Sequence, residues 1–186
     1  MREGMNPVEI QTERLRMRPF TADHLDDLHQ LWVTPGVRKY LWDDAAISRE
    51  QAMEVIESST ESFRAHGFGL WAVYPKDEER LIGFCGFRHF GEQQEVEILY
   101  GVSPERWGEG LATEAARAML RCGFEEHGFD QIYAGADPPN AASFRVMEKT
   151  GMKFAKRVHL NGLEAIYYVM SKEELEPGGR DFYQLS

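Results

Sequence analysis

ILYGVSPERWGEGLATEA, Ile98 to Ala115, joins an apolar, strand-like run to an alanine-rich helical one. Gly108 and Gly110 stand one residue apart, where the helix must begin. The first amides of a helix have no partner within it, and the aligned peptide dipoles make that end positive. Glycine tolerates positive φ and, without a Cβ, lets a ligand approach the backbone. The stretch Gly108–Ala112 therefore reads as a seat for phosphate groups held by main-chain N–H groups. It is not a P-loop, because G-x-x-x-x-G-K-S/T does not occur, and G-x-G-x-x-G fails at Thr113. A turn eased by two glycines remains the simpler reading of those residues taken alone.

The strand before it sharpens the picture. Along QQEVEILYGV, Val96, Ile98, Tyr100 and Val102 share one face, and Glu95, Glu97 and Leu99 share the other. Further out, TERLRMRPF alternates as a first strand with Leu15 and Met17 on one side. Leu25, Leu28, Leu31 and Trp32 recur at helical spacing, and Pro35-Gly36 is read as the end of that helix. The segment VRKYLWDD, holding Tyr40 and Trp42, is predicted as a loop. Ser48 and Gln51 form a capping box before a helix over Ala52–Ala65. GLWAVY and LIGFCGFRHF are predicted as a hairpin joined by PKDEER. QIYAGA reads as a short strand, a helix runs from Asn140 to Gly151, and MKFAKRVHL and LEAIYYVM form a hairpin turned at Asn161-Gly162. This order, β-α-α-β-β-β-α-β-α-β-β, predicts an α+β fold: a twisted, mostly antiparallel sheet of about seven strands with helices on both faces.

The chain of 186 residues suits one domain, 1–186, with a core over roughly 10–175. The breaker-rich ends, Met1–Glu9 and Glu176–Ser186, are expected to be loosely held. A net charge of −10 argues against nucleic acid as a partner and is compatible with a cationic acceptor, although solubility alone explains it. MREGMNPVE has no apolar signal core, and no run approaches about 18 apolar residues, so a membrane partner is not expected and the cytoplasm is the expected location. Cys85 and Cys122 lie in apolar contexts and read as buried thiols, with no His or Asp beside Cys85 to make it a nucleophile. The six histidines show no metal-ligand spacing, so no metal is expected.

ILYGVSPERWGEGLATEA and the element order together resemble the GNAT N-acetyltransferases. In that family Q/R-x-x-G-x-G/A cradles the pyrophosphate of acetyl-CoA. The matching residues are Trp107, Gly108, Glu109, Gly110, Leu111 and Ala112, with Trp107 at the usual Gln/Arg place. That tryptophan is familiar in the Rim-type branch, the ribosomal-protein alanine acetyltransferases. A second block, ADPPNAASFRVMEKTGMKF, resembles the family's N-x-x-S-x-x-v-x-e-k-x-G-F, with Met152 for the final Phe.

The resemblance implies an acetyl-CoA-dependent N-acetyltransferase acting on a primary amine, of a protein N-terminus or a small molecule, by direct attack in a ternary complex. Homodimers are common in the family. The strand at Tyr100–Val102, Gly101 included, would pair with the pantetheine arm, and a free N–H near Leu99 would polarise the acetyl carbonyl. Asn140 would bond the same arm, and is also a good N-cap for its helix. Glu97 is the general-base candidate if burial raises its pKa; a solvated strand face is the alternative, and the sequence leaves both open. The family's usual acid is a tyrosine at the place of Met147, which has no proton to give. In the Rim-type branch a serine at Ser143 protects the thiolate instead. Tyr40, Trp42 and Glu97 are placed toward the acceptor, Trp71 in the core, and Glu164 either near the amine or as an edge charge. The missing tyrosine also keeps open a non-catalytic acyl-CoA-binding module of the same fold.

Overall fold

The computed structural model describes residues 9–91, 94–160, 162–176 and 183–185. Its sheet has nine strands: β1 (Ile10–Gln11), β2 (Leu15–Pro19), β3 (Leu70–Pro75), β4 (Gly83–Phe90), β5 (Glu95–Val102), β6 (Gln131–Ala136), β7 (Lys153–Leu160), β8 (Leu163–Ser171) and β9 (Gln184–Leu185). Seven of these are the expected strands; β1 and β9 are two-residue additions at one edge. The spatial order is β7-β8-β6-β5-β4-β3-β2-β1-β9, and every pairing is antiparallel except β5 with β6. The fold is the expected mixed α/β architecture.

Helices cover both faces. Helices α1 (Leu25–Val33) and α3 (Arg49–His66) close one side over Leu28, Trp32, Ile56, Ala72, Tyr74 and Phe84. Helices α4 (Leu111–Glu125) and α5 (Ala141–Lys149) close the other over Met17, Val73, Ile98, Met119, Ile132 and Met147. The period of two is visible in β3, where Ala72 and Tyr74 enter one core while Trp71 and Val73 enter the other. Leu15 and Met17 share the α4 side, as their alternation predicts. Trp71 is a core residue, its ring 5.5 Å from that of Phe63.

Two expectations are corrected. Pro35-Gly36 does not end the helical region. Pro35 opens a further helix, α2 (Pro35–Leu41), which occupies the stretch expected as a loop and carries Tyr40. A proline at the first helical position costs no hydrogen bond and presets φ, and Thr34 before it is extended (ψ 128°). The C-terminal stretch, where described, is not loose. Tyr183 is buried, its hydroxyl donates to Glu125 at 3.0 Å, and β9 pairs with β1. Residues 1–8, 177–182 and 186 of the chain ends, Gln93 and Asn161 of the predicted turn lie outside the described residues.

Candidate active site

The site begins where the sheet splits. The described strands β5 and β6 share a single rung, Glu97 opposite Tyr133, while β6 continues along β8 to Ala136. From Ile98 onward β5 keeps only β4 as a neighbour. The N–H of Ser103 bonds Ile82, so alternation turns the main chain of Gly101, Leu99 and Glu97 toward β4. The groups of Tyr100 and Val102 face the gap instead. The N–H expected near Leu99 is therefore that of Tyr100. The Val102 carbonyl takes the Trp107 indole N–H at 2.8 Å.

A cleft of about 700 Å³ runs through this gap. Leu99, Tyr100, Gly101 and Val102 line one wall, and Trp107, Gly108, Gly110, Leu111 and Ala112 line its loop end. Gly108 (φ 85°) and Gly110 (φ 78°) are both left-handed, a conformation that favours glycine. A Cβ at Gly108 would meet nothing within 4 Å, so the backbone there is open to a ligand. Gly110 is the N-cap of α4 and offers no side-chain bond to the first amides. The loop is braced from behind. Glu114 accepts from Thr12 Oγ1 at 2.6 Å and from Arg14 Nε at 2.7 Å, and Arg14 donates to the Glu109 carbonyl at 2.9 Å. The Glu109 side chain pairs with Arg106 at 3.0 Å and does not line the cleft.

Glu97 is 2% exposed and lines the cleft, so the solvated-face alternative fails. It stays buried because Gly135 has no side chain: a Cβ there would lie 3.0 Å from Glu97 Oε1 and 2.7 Å from the Tyr167 ring. Burial pushes the carboxyl up from its ordinary value, opposed by Arg88, whose Nε donates at 2.7 Å, and by the Gly135 N–H. Arg88 and Tyr167 also line the cleft.

Residues three apart on a strand point to opposite faces, so Tyr100 leaves β5 on the side away from Glu97. Its hydroxyl reaches the first turn of α5, 2.9 Å from Ser143 Oγ and 3.1 Å from the Ser143 carbonyl. Asn140 caps that helix, its side chain accepting from the Ser143 N–H at 3.2 Å, and both residues line the cleft. Met147 is fully buried in the α4-side core.

Tyr40 lines the cleft and donates to the Pro139 carbonyl at 3.3 Å, tying α2 to the turn before α5. Trp42 does not reach it; its ring packs on Trp32 at 6.0 Å because α2 turns it inward. Glu164 pairs with Arg157 across the β7–β8 hairpin. Burial holds Cys85 protonated and pushes Cys122 up to about 12, so neither thiol is a ready nucleophile. Among the described residues no group of three or more His, Cys, Asp or Glu could hold a metal. No helix among them is long and apolar enough to cross a membrane. The sequence did not single out Arg88, Arg145, Lys149 and Tyr167 as cleft-lining residues. They come from three separated elements and carry no local signal.

The comparisons agree with this geometry. Residues 14–153 match the acetyltransferase (GNAT) domain family model. The chain belongs to the GNAT acetyltransferase family, and is an enzyme of the N-acetyltransferase class. Protein YkkB of Bacillus subtilis is 32% identical over 153 residues, covering 81% of this chain and 88% of the relative. The N-acetyltransferase YnaD of Bacillus subtilis is 31% identical over 174 residues, covering 90% of this chain and 99% of the relative. The GNAT-family acetyltransferase of Bacillus anthracis superposes with a TM-score of 0.75 at 26% identity, over 89% of this chain and 99% of that one.

Proposed function

We propose that the chain transfers the acetyl group of acetyl-CoA to a primary amine by direct attack, with both substrates bound. The observation that carries this reading is the meeting of three parts in one cleft. They are the open edge of β5, the uncapped start of α4 and the buried carboxylate of Glu97. The α4 amides and the Gly108–Ala112 backbone suit a pyrophosphate, and Arg145 and Lys149 add positive charge to the wall. The main chain of Tyr100–Val102 and the Asn140 side chain suit an amide-bearing arm. Bound acetyl-CoA supplies an activated acyl group and a thiolate leaving group.

The chain's own groups account for the rest. The Tyr100 N–H polarises the acetyl oxygen. Glu97 receives the amine proton through water, and its raised pKa suits a base working near neutral pH. Ser143 donates to the departing sulfur. Tyr40, Arg88 and Tyr167 frame the acceptor side. Trp107 and Ser143 favour kinship with the Rim-type branch, and with it a protein N-terminus as acceptor; a small-molecule amine fits the same chemistry.

The test is direct. Acetyl-CoA with a panel of N-terminal peptides and small amines is expected to release free CoA thiol, and calorimetry to show CoA binding below millimolar concentration. No binding in that range sinks the reading. Binding without turnover on any amine returns the protein to an acyl-CoA-binding module.

A further inference from the structure

We propose that Tyr100 is a positioning residue that turns the Ser143 hydroxyl onto the departing sulfur, the two forming one donor chain. This rests on the reading of the cleft as an acetyl-CoA site. Helix α5 presents no proton at Met147, whose thioether is buried in the core. Its first turn offers Ser143 instead, and a lone serine hydroxyl is a free rotor with no preferred direction. Tyr100 removes that freedom. It enters from a different element, on the face of β5 opposite Glu97, with its ring packed against the α4-side core.

Its hydroxyl lies 2.9 Å from Ser143 Oγ and 3.1 Å from the Ser143 carbonyl, so two arrangements share one set of heavy atoms. In the first, Tyr100 donates to the Ser143 carbonyl and Ser143 donates back to the Tyr100 oxygen. In the second, Tyr100 donates to Ser143 Oγ, and the Ser143 proton is free to point into the cleft. Negative charge on sulfur selects the second, because a donor to an anion forms the stronger bond and polarises the donor behind it. Only protons rotate.

The transfer then balances. The acceptor nitrogen forms the N–C bond, and the C–S pair departs on sulfur. The surplus proton on nitrogen passes through water to Glu97. Ser143 keeps its proton and donates a hydrogen bond; the sulfur is protonated from solvent on release. Tyr100 also keeps its proton, as expected for a phenol whose pKa burial raises. A free thiol has a pKa of about 8.5, so stabilising the thiolate needs no strong acid.

The thiol pKa of bound CoA, followed by the ultraviolet absorbance of its thiolate, tests this without turnover. In the wild type it is expected roughly one unit below the free thiol, a tenfold shift. Tyr100→Phe and Ser143→Ala should each return it close to the free value, and the double variant should move it no further. In amine turnover, Tyr100→Phe is expected to lower kcat about tenfold with KM for the amine unchanged, and the two losses should not multiply. CoA affinity and thermal melting of each variant serve as controls for folding. An unshifted thiol in the wild type overturns the proposal, and so does a shift abolished by Ser143→Ala but kept by Tyr100→Phe. CoA that binds with an unshifted thiol leaves the acetyltransferase reading standing. CoA that does not bind removes both.

Discussion

Helices α4 and α5 both start at the cleft. Helix α4 starts at Gly110 with φ 78° and no side chain on its first amides. Helix α5 starts at Asn140, whose side chain already accepts from the Ser143 N–H at 3.2 Å. An uncapped helix end is a cost the fold tolerates when a ligand supplies the missing acceptor; a capped one is complete by itself. In the proposed function, the first end seats phosphate and the second holds side chains in register.

Substitutions separate the two ends. Gly110→Val places a β-branched residue in the left-handed region and a side chain beside the amides. It is expected to weaken CoA binding roughly 10- to 100-fold, by calorimetry, with strain of about 1–3 kcal/mol in a denaturant titration. Asn140→Ala is the contrast. It should cost about 1 kcal/mol of stability, a melting shift of about 2–4 °C, and change CoA affinity less than about threefold. An affinity loss at Asn140→Ala as large as that at Gly110→Val would erase the distinction.

Glu97→Gln ranks beside the first in size but acts on rate, with an expected loss of about 100-fold in kcat. The wild-type rate should fall as pH drops through the raised Glu97 pKa, and the variant should lose that acid limb. The stability sign is opposite. A carboxyl whose folded pKa is raised binds more protons folded than unfolded, so stability declines as pH rises from below 4.5 through the raised value. Glu97→Gln should therefore melt higher than wild type at pH 7, and the two should converge in acid. A lower melting point at pH 7 contradicts the sign. The smallest effect is expected at Trp107→Phe. It removes a partly exposed bond to the Val102 carbonyl and should weaken CoA binding by about two- to fivefold.

The loop and α4 were legible because their physics is local: two glycines, a helix start and a strand sit in one contiguous run. The face assignment of β5 was legible from alternation, but the burial of Glu97 was not. Its burial depends on Gly135, 38 positions away, having no Cβ to displace the carboxylate. Arg88 and Tyr167 join the cleft through strand order, which single-residue patterns do not carry. Pro35 misled because the same residue ends one helix and begins another; the sign lies in the extended Thr34 before it. The C-terminal breakers misled because a short strand needs only an edge to pair with, and β1 supplies it.

Of the four tryptophans, Trp32 and Trp71 are buried and Trp42 packs on Trp32, while Trp107 is 58% exposed beside the glycine loop. The protein thus carries its own optical reporter. Any ligand that seats against the loop strips water from one indole and leaves the other three in place. Occupancy of the cleft can then be read from the chain's native emission, without a label and without turnover.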